Sequence, residues 1–170
     1  MKEQHHRIYG LGLYYLRNVD DAQEVTQDTF IRIYRGLRRF RGDGDEFIAW
    51  MLSVARNCSI DRLRRQRTQS RRDNDEIPAV MANADPLLDP AATVAEQQRK
   101  RLVYRALDQF EGENRELLLL KEIQGLKYKD VARILALPIG TIKSRVSRAR
   151  IELARIIVKL DPTYSDESPR

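Results

Sequence analysis

The stretch Tyr128-Lys129-Asp130-Val131-Ala132-Arg133-Ile134-Leu135-Ala136-Leu137-Pro138-Ile139-Gly140-Thr141-Ile142-Lys143-Ser144-Arg145-Val146-Ser147-Arg148-Ala149-Arg150 decides how this chain folds. Val131, Leu135, Leu137 and Ile142, with the small Ala132 and Ala136, fall where two helices cross closely, which is the pattern of a helix-turn-helix. The first helix is expected from about Tyr128 to Ala136. Pro138 suits the first turn of the second, because proline lacks only an N–H that would be unpaired there anyway. Along that second helix Ile142, Val146, Ala149 and Leu153 share one face and should pack inward. Lys143, Ser144, Arg145, Ser147, Arg148 and Arg150 are left for the outside. Arginine and lysine can pair with the N7 and O6 edge of guanine, hydroxyls can serve bases or phosphates, and a helix N-terminus favours a phosphate. The basic face therefore predicts contact with DNA. Its plainer alternative is a charged face that is merely solvated.

Working outward, helical periodicity holds on both sides, and no run alternates apolar with polar residues as a strand would. The fold expected is all-α. Leu102, Val103, Ala106, Leu107 and Phe110 form a stripe ended by Gly112, and Asn114 can cap a further helix from Arg115 to about Gln124. Near the start, an apolar helix runs from Ile8 to Leu16. Asn18 and Asp20 offer N-cap oxygens for a second, whose core stripe is Ala22, Val25, Thr29, Ile33 and Leu37, with Phe30 beside it. The loop Arg41-Gly42-Asp43-Gly44-Asp45 ends that helix. Phe47, Trp50, Met51, Val54 and Cys58 then mark a third buried face, on a helix expected to reach about Arg67.

From Thr68 to about Ala95 the periodicity vanishes, and Pro78, Pro86 and Pro90 stand among Ala, Asn and Asp. Charge changes sign along this stretch. Arg62, Arg64, Arg65, Arg67, Arg71 and Arg72 give way to Asp73, Asp75, Glu76, Asp85 and Asp89, a segregation that suits a flexible acidic linker better than a packed core. The division expected is residues 1–67, a linker at 68–95, a second domain at 96–162 and a tail at 163–170.

Composition narrows the function. The net charge of +6 on 170 residues calls for a polyanionic partner, either nucleic acid or an anionic membrane surface. No apolar run approaches the roughly 20 residues that span a bilayer, and no N-terminal signal pattern is present, so membrane insertion is not expected and the cytosol is. Cys58 is the single cysteine, which excludes an internal disulfide and a cysteine metal cluster. His5 and His6 are adjacent near one end, a poor arrangement for a metal or catalytic site. No cofactor and no metal are expected.

The segment from Pro138 to Arg150, following Glu122-Ile123-Gln124-Gly125-Leu126, resembles region four of the extracytoplasmic-function (ECF, group IV) sigma factors of the sigma-70 family. Asp20-Asp21-Ala22-Gln23-Glu24-Val25-Thr26-Gln27-Asp28-Thr29-Phe30 resembles the region two helix of that family, and Trp50, Asn57, Asp61, Arg64 and Arg65 stand where its next pattern would put them. Both halves in this order, separated by an acidic proline-containing stretch, cover nearly the whole chain. The resemblance implies a factor that binds core RNA polymerase and directs promoter recognition, melting and initiation.

It also implies roles residue by residue. Glu24, Gln27, Asp28 and Arg32 would dock on the clamp coiled coil of core polymerase, and their spacing shares one helix stripe. Gly42, Asp43 and Phe47, with the helix around Asn57, would capture an unstacked base of the minus-ten element, while Arg56, Arg62, Arg64 and Arg65 hold strand phosphates. Trp50, at helical spacing with Phe47 and Val54, reads as core rather than as a stacking platform. Lys121, Thr141, Lys143, Ser144, Ser147 and Arg148 would face the minus-thirty-five duplex, with Arg145 and Arg150 neutralising phosphates or bracing the helix. The acidic linker would thread near the polymerase active centre and RNA exit path, or serve only as a spacer. An anti-sigma factor is an expected partner.

Three departures from the family stand out. The first apolar helix lies close to Met1 and looks short. An extra acid is present among Asp43, Asp45 and Glu46. Lys127 replaces a frequent capping serine, a loss of about 1 kcal/mol at that helix start.

Rival readings are weaker. Gly44-Asp45-Glu46-Phe47 echoes the diguanylate cyclase signature, but Asp43 stands where that site needs glycine and both flanks are helical. Calcium at Asp43 and Asp45 fails because Val54 occupies the position of the bidentate glutamate. A free-standing helix-turn-helix regulator that dimerises on a palindrome remains the main alternative, and the N-terminal domain discriminates between the two.

Overall fold

The computed structural model describes residues 2–73, 93–110 and 112–165. Seven α-helices occur among the described residues, with no strand. The chain divides into two compact units, Met1–Pro86 and Leu87–Arg170. Residues 74–92, the greater part of the expected acidic linker, lie outside the described residues, as do 166–170 of the tail.

In the first unit three helices pack pairwise: α1 (Lys2–Leu16), α2 (Val19–Leu37) and α3 (Gly44–Asp73). The first helix begins several residues before the expected Ile8. Asn18 caps α2 as its sequence position indicates, its side chain accepting from the Asp21 N–H at 3.0 Å. Ala22, Val25, Thr29 and Ile33 are buried, and Thr26 joins them by donating its hydroxyl to the Ala22 carbonyl at 2.7 Å. Leu37 does not belong to that core. It is 49% exposed, because it ends the helix where no neighbour covers it.

Trp50 is half-buried as a packing residue, stacked on Phe40 with ring centres 5.1 Å apart and tilted against Phe47 at 5.8 Å. A Cβ on Gly36 would come within 2.8 Å of the indole, so the glycine is what lets α2 approach the ring. The third helix passes the expected end at Arg67 and runs to Asp73, which corrects the placing of Thr68 to Asp73 in a linker. Arginine and glutamine are good helix formers, so the helix continues where the apolar stripe stops.

The second unit holds α4 (Val94–Leu107), α5 (Gly112–Leu118), α6 (Tyr128–Leu135) and α7 (Ile139–Leu160). A 3₁₀ turn, Pro162–Ser165, follows. Thr93 and Glu96 form a reciprocal capping box at the start of α4. The Thr93 N–H bonded to Glu96 holds that carboxyl below the usual carboxylate range. Asn114 does not cap α5 but lies inside it, since the helix already begins at Gly112. Its end passes directly into a π-helical turn, Leu119–Ile123. Leu107, Phe110, Leu118 and Ala149 form the core, with Val103, Ile123, Leu153 and Ile156 packed against it.

The turn between this segment and α6 uses Gly125 at φ +68°, a left-handed conformation suited to glycine. Lys127 precedes α6 without a side-chain cap bond, in line with the missing serine. Ala136, expected at a close helix crossing, is instead exposed and adopts a left-handed φ of 53° as the turn between α6 and α7. Pro138 stands just before α7 rather than within its first turn.

Candidate functional site

On α7 the two faces separate as the periodicity requires. Ile142 and Val146 are fully buried and Ala149 nearly so, with Leu153 partly covered, while Lys143, Ser144, Ser147 and Arg148 are exposed and Thr141 is half-exposed. Burial of one stripe fixes which side chains can reach a partner. Ser144 donates its hydroxyl to the Thr141 carbonyl at 3.0 Å, and Arg148 Nε lies 3.4 Å from the Ser144 carbonyl.

Three basic residues near this face are held from behind. Arg150 forms a two-pronged pair with Glu122, Nε to Oε1 at 3.0 Å and Nη2 to Oε2 at 3.3 Å. That hydrogen bond raises the guanidinium pKa above its ordinary value. Arg145 pairs with Glu113 of α5. Lys121 Nζ donates to the Leu126 carbonyl at 3.0 Å and lies 4.9 Å from the centre of the Tyr128 ring. Of the sequence's eight minus-thirty-five candidates, these three have protein partners that no local pattern announced. Glu113, Asn114, Arg145, Arg148, Ala149 and Glu152 line an open groove of about 640 Å³ beside the exposed face.

In the first unit Glu24, Gln27, Asp28 and Arg32 are all exposed on the side of α2 away from its core. Ile31, 48% exposed, lies among them, and Tyr34, 80% exposed, continues the same face. Large apolar groups interleaved with charges mark a surface that buries itself against another protein. The sequence reading missed both, although helical spacing from Gln27 could have found them. Two of the four polar candidates are tied to α3: Glu24 to Arg62 at 2.9 Å and Arg32 to Asp61 at 3.4 Å.

Arg62 also donates through Nε to Asp21 at 2.9 Å, and Gln66 donates to the other Asp21 oxygen at 2.6 Å. Arg62, expected to hold strand phosphates, thus clamps α2 to α3 in this structure. The hydrogen bond to Asp21 raises the Arg62 pKa, and the charges of Asp21, Glu24 and Asp28 act in the same direction.

Along α3, Trp50, Asn57 and Arg64 follow one another at two-turn intervals on one side. Asn57, Arg64 and Arg65 are exposed, whereas Arg56 is half-buried. At the helix start, exposed Gly42 and Asp43 and half-buried Phe47 come together. Asp43 Oδ1 accepts from the Glu46 N–H at 2.8 Å and so acts as an N-cap. Asp45 and Glu46 occupy the first turn, where the helix dipole favours acids, so the Gly44-Asp45-Glu46-Phe47 echo is a helix start and no hairpin is formed there.

Comparison with known proteins agrees with both halves. A model of sigma-70 region 2 matches residues 1–69, and one of sigma-70 region 4 matches residues 100–153. The RNA polymerase sigma-H factor of Pseudomonas aeruginosa is 32% identical over 150 residues, covering 85% of this chain and 77% of that protein. The ECF RNA polymerase sigma-E factor of Escherichia coli K12 is 31% identical over 150 residues, covering 85% and 78%. Among solved structures, the sigma factor RpoE of Bartonella quintana, in complex with the anti-sigma factor NepR, matches with a TM-score of 0.67 and 26% identity over 91% of each chain. The chain belongs to the ECF sigma factors of the sigma-70 family, transcription factors that bind RNA polymerase and direct initiation at promoters. Among the described residues, no helix is long and apolar enough to cross a membrane.

Proposed function

We propose that this sigma factor docks on core RNA polymerase through the outer face of α2 and reads two promoter elements with α3 and α7. Glu24, Gln27, Asp28 and Arg32 supply the polar docking contacts, with Ile31 and Tyr34 as apolar anchors between them. Gly42, Asp43 and Phe47 at the head of α3 take the unstacked minus-ten base. Asn57 lines that path, and Arg56, Arg64 and Arg65 meet strand phosphates. Thr141, Lys143, Ser144, Ser147 and Arg148 face the minus-thirty-five duplex, while Lys121, Arg145 and Arg150 brace the motif through their partners within the protein.

The observation that carries this reading is the α7 face: exposed Lys143, Ser147 and Arg148 above buried Ile142, Val146 and Ala149, in the helix that a helix-turn-helix inserts into DNA. The protein acts by binding rather than by catalysis, and it works in the bacterial cytosol. The first domain extends through α3, the second begins with α4, and the acidic stretch between them joins the two. An anti-sigma factor is a further partner of this chain, as NepR is of the Bartonella protein.

Run-off transcription with purified core polymerase tests the proposal. Transcripts from a cognate promoter are expected only when this chain is added. Transcription independent of it would refute the reading, and a purified dimer that shifts a palindromic duplex by itself would favour the free-standing regulator.

A further inference from the structure

The π-helical turn Leu119–Ile123 lies immediately before the helix-turn-helix, and the Gln124 N–H there donates to the Leu119 carbonyl at 2.9 Å, five residues back. Such a turn places one more residue per loop of backbone than an α-helix does. It is rare, and it is found frequently at functional sites. Its two charged side chains take hold of different halves of the motif. Lys121 reaches forward to the Leu126 carbonyl and the ring of Tyr128, the first residue of α6. Glu122 holds the guanidinium of Arg150 on α7 with both oxygens. A two-pronged carboxylate–guanidinium pair fixes orientation as well as charge. The Glu113–Arg145 pair is a second hold on α7, from α5.

We infer that the π turn is the positioning device of the DNA-reading helix: Glu122 sets the orientation of α7 and withholds Arg150 from DNA phosphates, while Lys121 fixes the start of α6. This rests on the reading of α7 as the minus-thirty-five reader. It extends that reading by making promoter discrimination depend on a carboxylate that is itself paired within the protein. Glu122 is a positioning residue, not a base contact. A freed Arg150 would instead add sequence-independent attraction, since each neutralised phosphate contributes to the salt dependence of binding.

The test uses the full chain bound to core polymerase. The probes are a promoter duplex selected by the wild-type complex from a pool randomised in its upstream element, and the same duplex with that element scrambled. For Glu122→Gln, unchanged helical circular dichroism is expected, with tighter binding to the scrambled duplex. The slope of log affinity against log salt should steepen by about 0.9, the increment for one phosphate. The preference for the selected duplex should fall about tenfold, the scale of one lost base contact.

Arg150→Ala should lower the preference without steepening the slope. A slope that flattens by about 0.9 in Arg150→Ala would show that Arg150 already neutralises a phosphate in the wild type, and would overturn the inference. So would unchanged slope and preference in Glu122→Gln. Lys121→Met should leave the slope unaltered, and a flattening there would return Lys121 to the DNA and remove its half of the device. Arg148→Ala separates the two levels. If it changes base preference while Glu122→Gln is silent, only the positioning role fails. If Arg148→Ala is silent as well, α7 is not the reader and both fall.

Discussion

The outer faces of α2 and α7 are built on the same helical plan and carry opposite chemistry. Both cover a buried stripe, Ala22, Val25, Thr29 and Ile33 in one and Ile142, Val146 and Ala149 in the other. Outward, α2 shows acids, a glutamine and Arg32 interleaved with Ile31 and Tyr34, whereas α7 shows Lys143, Arg148 and small hydroxyls, with Ile151 as an exposed apolar group beside them. Apolar groups among mixed charges gain most from a protein surface that excludes water around them. A face whose charge is cationic gains most from phosphates and base edges. In each unit the flanking charges are already paired inside the protein, Glu24 and Arg32 to α3 and Arg145 and Arg150 to the α5 segment. What remains at the centre of each face distinguishes the partners.

The sharpest way to separate scaffold from surface is to empty the buried side of α7. Ile142→Ala should lower unfolding stability by about 2–5 kcal/mol through lost burial and a residual cavity, read by chemical denaturation. A loss near zero would mean that Ile142 is not the packed residue it is taken to be. On the outer side, Arg148→Ala should cost about 1–3 kcal/mol in binding the upstream element and should change the preferred bases. Uniform weakening on every duplex would make it a phosphate contact instead.

The corresponding change on α2 is the pair Ile31→Ala and Tyr34→Ala, each expected to weaken core-polymerase binding by about 1–2 kcal/mol. Stability should shift by no more than about 0.5 kcal/mol, as for other exposed sites. Equal co-purification of variant and wild type would erase the contrast between the two faces. Smaller still, Asp43→Ala should cost about 1 kcal/mol of stability by removing the N-cap of α3. If thermal unfolding is unchanged while minus-ten binding falls, the carboxylate serves DNA and not the helix. The smallest effect expected is from Ala136→Gly, a gain of about 0.5 kcal/mol as the left-handed strain of alanine is relieved against the greater chain entropy of glycine. A loss of stability there would show that the methyl group packs usefully.

Local signals were legible in proportion to how little they depended on distant residues. The Asn18 cap, the inward stripe of α7 and the uncapped start at Lys127 all follow from neighbours within a turn or two, and all are present. The end of α3 was not legible, because an arginine-rich helix beyond Arg67 carries no apolar stripe to mark it. Leu37 misled for the converse reason: its spacing fits the stripe, but whether a neighbour covers it is a matter of where the helix ends. The aromatic seat of Trp50 on Phe40 needed the loop to fold back.

For the candidate sites the division is similar. Periodicity and residue type by themselves determined that the chain is helical, that α7 has a buried and a basic face, and that the polar stripe of α2 is directed outward. Those properties are set by backbone geometry repeating every few residues. Which arginines remain for a partner was decided only in three dimensions. Asp21 with Arg62 and Glu122 with Arg150 are pairs between different helices, separated by 41 and 28 residues. A charge met in the sequence carries no mark of whether a distant carboxylate will reach it, since that depends on how helices pack and, at Leu119–Ile123, on a backbone turn of unusual pitch.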